Sequence, residues 1–374
     1  MKQGWKIMDF ESCIDKTKTT TKLQSSLYGE QGAFPIVSQE KELISGYWNK
    51  EENVFKHKTP IVVFGDHTKV VKYIDFDFVI GADGVKILSP KPFLNPKYFY
   101  YWVCSVQIPS RGYARHYRYL KEHQVPVPSL SEQQRIVALL DAEFAMIDAL
   151  KTNAEKNLQN AKDLFSSALS KELKHRDGWK ETKIGEFCEI IRGKRFVRAD
   201  IVEEGVPCIH YGDIYTHYGM CATKAKGCVS PVLAKKLRFA NKNDVIVVAA
   251  GENRFDIGVG VAWLGDEPAV VHDACFILKH SQNPMFLSFY LRSAEYHQYL
   301  KDEVNEGKIC SFLTKPLAEA KISLPPIEEQ GQIVERLEIV FSNCKAMQEN
   351  YKKTLSLCDD LKQALLRKAF NGEI

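Results

Sequence analysis

The feature that most constrains how this 374-residue chain can fold is a joint that occurs twice. "VPVPSLSEQQRIVALL" (Val125 to Leu140) and "ISLPPIEEQGQIVERL" (Ile322 to Leu337) share one order: apolar strand end, Pro, polar turn, Glu-Gln, then Ile-Val. The offset of about 197 positions is the scale of a whole domain plus its connector. Carried forward by that offset, Ile136, Leu140, Phe144, Ile147, Leu150, Ala154, Leu158, Ala161, Leu164 and Ala168 map without a gap onto a second series. That series is Ile333, Leu337, Phe341, Cys344, Met347, Tyr351, Leu355, Cys358, Leu361 and Leu365. Steps of three and four with no interior Pro predict two amphipathic helices of about 40 residues, each about 60 Å long. An apolar stripe of that length has to be covered. Each helix can lie across its own domain, but equal length and register favour pairing with one another as a coiled coil.

The segments before the joints repeat more loosely. "GWKIMDF" opens the first at Gly4 and "GWKETKIGEF" the second at Gly178. "IVVFGDHTKVVKYIDFDFVIGADGVKIL" parallels "VIVVAAGENRFDIGVGVAWLGDEPAVVHDACFIL"; both read as β-branched runs bounded by Gly, Asp and Asn turns. Each is followed by Asn-Pro and an aromatic-rich helix, "NPKYFYYWV" and "NPMFLSFYLRS". The fold class is therefore α+β: two β-rich α/β modules in tandem (1–127 and 178–325), each followed by a long helix (128–177 and 326–374), the helices pairing antiparallel.

Composition excludes several classes. An apolar fraction of 45% with 26% charged residues is that of a globular chain with real cores. No apolar run reaches the length of a membrane span. The opening "MKQGWKIMDFESC" has no signal-type stretch, so the expected location is the cytoplasm. Ten scattered cysteines then read as reduced thiols. Cys208, His210, His217 and Cys221 are possible zinc ligands, but their spacing matches no compact finger or ribbon, and packing on a strand face explains Cys208 and His210.

Catalytic motifs are wanting as well. Asn95-Pro96 and Asn283-Pro284 are like the Asn-Pro-Pro-aromatic motif of amino-group methyltransferases, but both lack the second Pro. An Asn N-cap followed by Pro at the first helical position accounts for each. "GVGVAWLG" holds Gly258 and Gly260 with no helix pattern after it, and no phosphate-binding or nucleophile motif occurs. Glu132, Glu328 and Glu329 open long helices, where carboxylates favour the helix dipole. The expectation is a chain with no catalytic residue, no metal and no cofactor of its own.

What remains suits DNA. The basic excess lies in the modules: roughly five charges in the first and one in the second, with each helix segment at about minus one. "KTKTTTK" sets Lys16, Lys18 and Lys22 among small hydroxyls that can donate to phosphate. "PSRGYARHYRYLK" interleaves Arg111, Arg115 and Arg118 with Tyr113, His116 and Tyr117, combining guanine-reading arginines with rings that pack on sugars or bases. "RGKRFVR" puts Arg192, Lys194, Arg195 and Arg198 beside a backbone-freeing Gly. His67, Lys69, Asn253 and Arg254 in the mid-module hairpins, and Tyr211, complete the candidate contacts.

These residues resemble the specificity (S) subunit of type I restriction-modification systems. The resemblance is carried by the openings at Trp5 and Trp179, both joints, "CIHYGDIYTHYG" and the terminal "LLRKAFNGEI", and spans essentially the whole chain. The first joint departs from the pattern, with Ser129 where the second has Pro326. The resemblance implies two target recognition domains, each reading one half of a bipartite double-stranded DNA site, held apart by an antiparallel helix pair. It implies two methyltransferase (M) subunits docked on that scaffold and holding S-adenosylmethionine, and restriction (R) subunits using ATP and magnesium. The alternatives are the S-type subunit of a fused methyltransferase-nuclease system, a divergent catalytic methyltransferase, and a coiled-coil adaptor without a DNA role. Helix length would set the unread gap between half-sites. Adding or removing whole heptads in both helices is therefore expected to change the gap in the methylated motif and leave both half-sites intact. Altered half-sites with an unchanged gap would refute the spacer role.

Overall fold

The computed structural model describes residues 4–82, 84–109, 114–305 and 307–374. The chain divides into two compact units, Met1–Glu155 with Lys352–Ile374, and Lys156–Tyr351. Each unit gathers one module, the first turns of the helix that follows it, and the last turns of the other helix.

In the first unit, Ile14–Asp15, Val85–Pro90, Ile61–Gly65 and Val71–Ile74 form one four-stranded sheet in that order. In the second unit, Glu189–Arg192, Cys275–Lys279, Val245–Val248 and Gly260–Trp263 repeat the order, and Cys221–Ala222 adds an edge strand. The other sheets correspond too. Gly46–Trp48, Phe34–Val37, Phe78–Ile80 and Val54–Phe55 match Gly227–Val229, Val206–Ile209, Ala269–Val271 and Phe239–Ala240, with Ile201–Val202 added at the edge. Even the parallel pairing inside each is kept, Ile36 opposite Val79 and Cys208 opposite Val270. The duplication inferred from the joints extends to sheet topology.

The joint itself explains why its sequence recurs. The opening strand of each module pairs antiparallel with its closing strand: Lys6–Asp9 with Gln124–Val127, and Lys180–Lys183 with Lys321–Leu324. In the first turn of the long helix that follows each closing strand sits a glutamine with no solvent exposure, Gln133 or Gln330. The Gln133 amide donates to the carbonyls of Phe93 (3.0 Å) and Pro128 (2.9 Å), and its Oε1 accepts from Asn95 N–H (2.7 Å). Gln330 donates to Pro325 O (2.9 Å) and Gln282 Oε1 (2.8 Å) and accepts from Asn283 N–H (2.9 Å). Asn95 and Asn283 are themselves caps. Asn95 Oδ1 accepts from Lys97 and Tyr98 N–H, and Asn283 Oδ1 from Met285 and Phe286 N–H, so Pro96–Ser105 and Pro284–Tyr290 start where the Asn-Pro pairs predict. The preceding glutamate also has a structural task in the second unit, where Glu329 accepts from the Trp179 indole N–H at 3.2 Å.

The long helices run Leu130–Glu172 and Ile327–Asn371. The second ends at Gly372, whose φ of +76° supplies the left-handed C-cap the Asn-Gly signal predicts. The helices pair antiparallel within each unit. In the first, Asp148 meets Lys362 at 2.5 Å and Lys151 meets Asp359 at 2.7 Å. In the second, the rings of Phe165 and Phe341 lie 5.2 Å apart and Arg336 meets Glu172 at 2.7 Å. Leu366, Ala369 and Phe370 of the terminal motif are buried in the core of the first unit, with Phe370 5.1 Å from the Tyr98 ring. The predicted stripe needs one correction. Leu150, Leu164, Met347 and Leu361 are exposed, because a pattern of threes and fours marks a stripe wider than one partner helix covers. No helix among the described residues is long and apolar enough to cross a membrane.

Replacing Gln133 with Leu would strand one buried N–H and two buried carbonyls. We expect Gln133→Leu to cost the first unit about 2–4 kcal/mol. Amide hydrogen exchange should quicken at Asn95 while Asn283 stays protected. Unchanged exchange at Asn95 would show that the clasp contributes nothing.

Candidate nucleic-acid interface

Two pairs of basic or polar segments occupy equivalent places in the two modules. Lys16 to Lys22 follows the edge strand Ile14–Asp15, and Lys194 to Arg198 follows its counterpart Glu189–Arg192. His67 and Lys69 lie between Ile61–Gly65 and Val71–Ile74. Asn253 and Arg254 lie between the corresponding strands Val245–Val248 and Gly260–Trp263.

In the second unit the basic run is held against the sheet by a glycine. Gly193 N–H donates to Cys275 O (2.9 Å) and Lys194 N–H to Val271 O (3.0 Å). A Cβ on Gly193 would lie 2.1 Å from His272 O, so only glycine permits this approach. Beyond it the chain alternates: Arg195 and Arg198 are exposed, while Phe196 between them is buried. Phe196 sits against two imidazoles, 5.1 Å from His272 and 6.2 Å from His210. His210 in turn lies 4.5 Å from His272 and 4.4 Å from the Tyr211 ring. The result is a cleft of about 850 Å³ lined by Arg195, Arg198, His210, Tyr211, His272 and Lys308, with Gly251, Glu252 and Asp273 on its walls.

The electrostatics divide the labour. Burial, reinforced by His272 nearby, pushes the His210 imidazole down to about 4, and burial also lowers His272. Both rings are neutral at pH 7, so the cleft's positive charge comes from Arg195, Arg198 and Lys308. The imidazoles contribute flat faces and hydrogen bonds. His210 Nδ1 accepts from Gly212 N–H at 3.4 Å and caps the short helix Tyr211–Thr216, and His272 Nδ1 accepts from Ala274 N–H at 3.1 Å. Cys208 packs with Phe196, Val229, Ala234 and Val270, as expected of a residue on the same strand face.

In the first unit, Lys16 and Lys18 are exposed and Lys22 half-buried. The hairpin at His67 and Lys69 is joined to the Arg115–Arg118 segment through Asp66. The Asp66 carboxylate accepts from Tyr117 N–H (2.8 Å) and faces Lys86 (3.5 Å), while its carbonyl accepts from His116 N–H (2.7 Å). The His116 ring Nδ1 lies 3.0 Å from the same carbonyl. His116 is therefore a correction to the expected contacts: at 1% exposure it is a fastener, not a surface group. Arg115 and Arg118 are exposed on either side of it, and Arg118 stacks on the Tyr119 ring at 4.6 Å. Arg111 and Tyr113 lie outside the described residues. Some candidates also have structural work. Arg192 donates to Asp273 O (2.9 Å), Arg254 to Lys301 O (3.1 Å), and Lys69, at φ +61°, to Ile108 O (3.4 Å).

Sequence reasoning missed His272 and Lys308, and read His210 as packing on a strand face rather than as part of the interface. Lys308 in "NEGKIC" is a lone lysine beside a glycine, a weak signal. His272 carries no signal, since only the fold brings it to His210.

Comparison with known proteins gives a consistent result. The model of the type I restriction modification DNA specificity domain matches residues 2–160 and 176–356. The chain is 25% identical over 288 residues to the type I restriction enzyme EcoBI specificity subunit of Escherichia coli, covering 69% of this chain and 60% of that protein. It is 26% identical to the MjaVIII specificity subunit of Methanocaldococcus jannaschii (58% and 55% covered) and 24% to the EcoR124I/EcoR124II subunit of Escherichia coli (87% and 84%). The match thus spans little more than half the length of two of these relatives. Among solved structures, a chain from work on assembly and conformational transition of the type I R-M system superposes with a TM-score of 0.73 at 19% identity, covering 100% of this chain and 99% of that one. The HsdS subunit from Thermoanaerobacter tengcongensis gives 0.53 at 19%, covering 100% and 98%. At such identities the likeness is one of fold. With both modules and most of both long helices matched, the chain belongs to the type I restriction modification DNA specificity domain family.

Proposed function

We propose that this chain is the DNA sequence-specificity subunit of a type I restriction-modification complex, each module reading one half of a bipartite double-stranded site. The observation that carries the reading is the duplication. Two modules of one topology each carry a basic segment after the same edge strand and a polar hairpin at the same turn. A chain built that way has two equivalent readers, and linking them makes a selective whole from modest parts. Arginines and lysines neutralise phosphates and fix register; the arginines, Tyr211 and the neutral imidazoles supply hydrogen bonds and faces for bases.

The chain has a recognising role and the chemistry belongs to partners. S-adenosylmethionine is held by the methyltransferase subunits; ATP and magnesium serve restriction subunits. The helices fix the gap and dock the methyltransferases. Two copies are favoured by the exposed apolar positions, because Leu150 with Leu361 in the first unit corresponds through the repeat to Met347 with Leu164 in the second. Charging one such pair, with Leu150→Asp and Leu361→Asp together, is expected to reduce the purified complex from two methyltransferase copies to one. Retention of both copies would refute these docking positions.

The principal test is a methylome. The chain would be expressed with the methyltransferase encoded beside it in a host without other methylation, and modified adenines mapped. A bipartite motif with a fixed unread gap is expected, changing on one side only when 178–325 is exchanged for another module. A stable complex that leaves no motif would overturn the reading.

A further inference from the structure

We infer that Phe255 is a wedge that enters the DNA base stack at the edge of the half-site read by the second module. The inference deepens the DNA-reading proposal above and rests on it. Among the described residues no large apolar side chain is more exposed than Phe255, at 77%. Singly exposed apolar side chains are common and need no explanation. Phe255 differs because the backbone is built to hold it out.

It sits in a single tight turn, Arg254–Asp256. Asn253 Oδ1 accepts from Phe255 N–H (3.1 Å), while Asp256 N–H donates to Asn253 O (3.1 Å) and Ile257 N–H to Arg254 O (3.2 Å). Ile257, two positions on, is buried in the core. Gly258 then turns at φ +84°, and a Cβ there would lie 2.3 Å from the Leu300 side chain. Arg254 ties the turn to Lys301 O. The ring is thus projected by a turn anchored on both sides, so inserting it would order little more of the chain.

Position and charge identify the occupant. The strand before the turn, with Gly251 and Glu252, forms a wall of the cleft that holds Arg195, Arg198 and Lys308, and Phe255 itself lines a neighbouring hollow with Arg254 and Lys301. Exposed Ile309 lines the same cleft. The turn itself carries Glu252 and Asp256 against Arg254, which does not suit phosphate. Its projecting group fits the apolar interior of a base step, and apolar wedges entering base steps kink duplexes. Flexible pyrimidine-purine steps would accept it at least cost.

The test uses the full chain with its methyltransferase partner and a duplex carrying the mapped site, with 2-aminopurine placed in turn at the steps in and beside the second half-site. Binding of the unaltered complex is expected to raise fluorescence severalfold at one step. Phe255→Ala should abolish the rise and weaken binding about tenfold to a hundredfold, with thermal unfolding unchanged. Phe255→Leu, which keeps apolar bulk, should retain part of both effects. If the unaltered complex binds selectively and Phe255→Ala neither weakens binding nor alters fluorescence, the wedge is refuted while the DNA-reading proposal stands. If the unaltered complex has no selectivity for any duplex, the underlying reading fails and the wedge with it.

Discussion

The arrangement of each unit depends on one buried amide. Gln133 and Gln330 each join three segments: the loop or turn leading into an aromatic helix, the residue at the end of the module's closing strand, and the first turn of a long helix. All the groups involved are backbone or amide atoms inside a core, where an unmet hydrogen bond is costly. Glutamine can donate twice and accept at the same site, a combination no other side chain of that length offers. The helix is therefore set in rotation and tilt relative to its own module. A rotational error there would turn the apolar stripe away from its partner helix. This is the physical reason the joint is the most faithfully repeated stretch of the chain.

Much of the fold was legible because its signals are local. Helix periodicity, Asn-Pro caps, the terminal Asn-Gly and the β-branched hairpins all act within a few residues, and each marks its element directly. The strand orders were not legible, since pairing Ile36 with Val79 or Cys208 with Val270 is decided by the whole module. Side-chain direction was half legible. Charge pointed correctly to exposed Arg115 and Arg118, but nothing in "RHYR" distinguishes His116, which the Asp66 contacts turn inward. Likewise Leu150 and Leu164 carry the same letter as buried Leu140; only the partner helix decides which row is covered.

The cleft of the second unit illustrates how such a site is assembled from weak parts. Phe196 is buried so that its neighbours are presented, and Gly193 is bare so that the strand beside it can approach. Neither residue carries chemistry. Together they convert a basic run, which on its own would be a solvated loop, into two exposed arginines presented at a cleft lined by His210, Tyr211 and His272. Burial, with His272 beside it, holds the His210 ring down to about 4, so that ring adds no charge to the cleft near pH 6, and burial lowers His272 as well.

The antiparallel pairing of each module's first strand with its last has a consequence for how such chains diversify. Entry and exit of the chain lie side by side at one end of the module, at the spacing of adjacent strands, about 5 Å. A module can then be lifted out and a different one set in without any change in the distance the rest of the chain must bridge. The loop-closure entropy and the glutamine clasp are untouched by what lies between those two strands. Recombination at the joints would thus exchange whole modules while the long helices and their glutamine clasps are inherited intact.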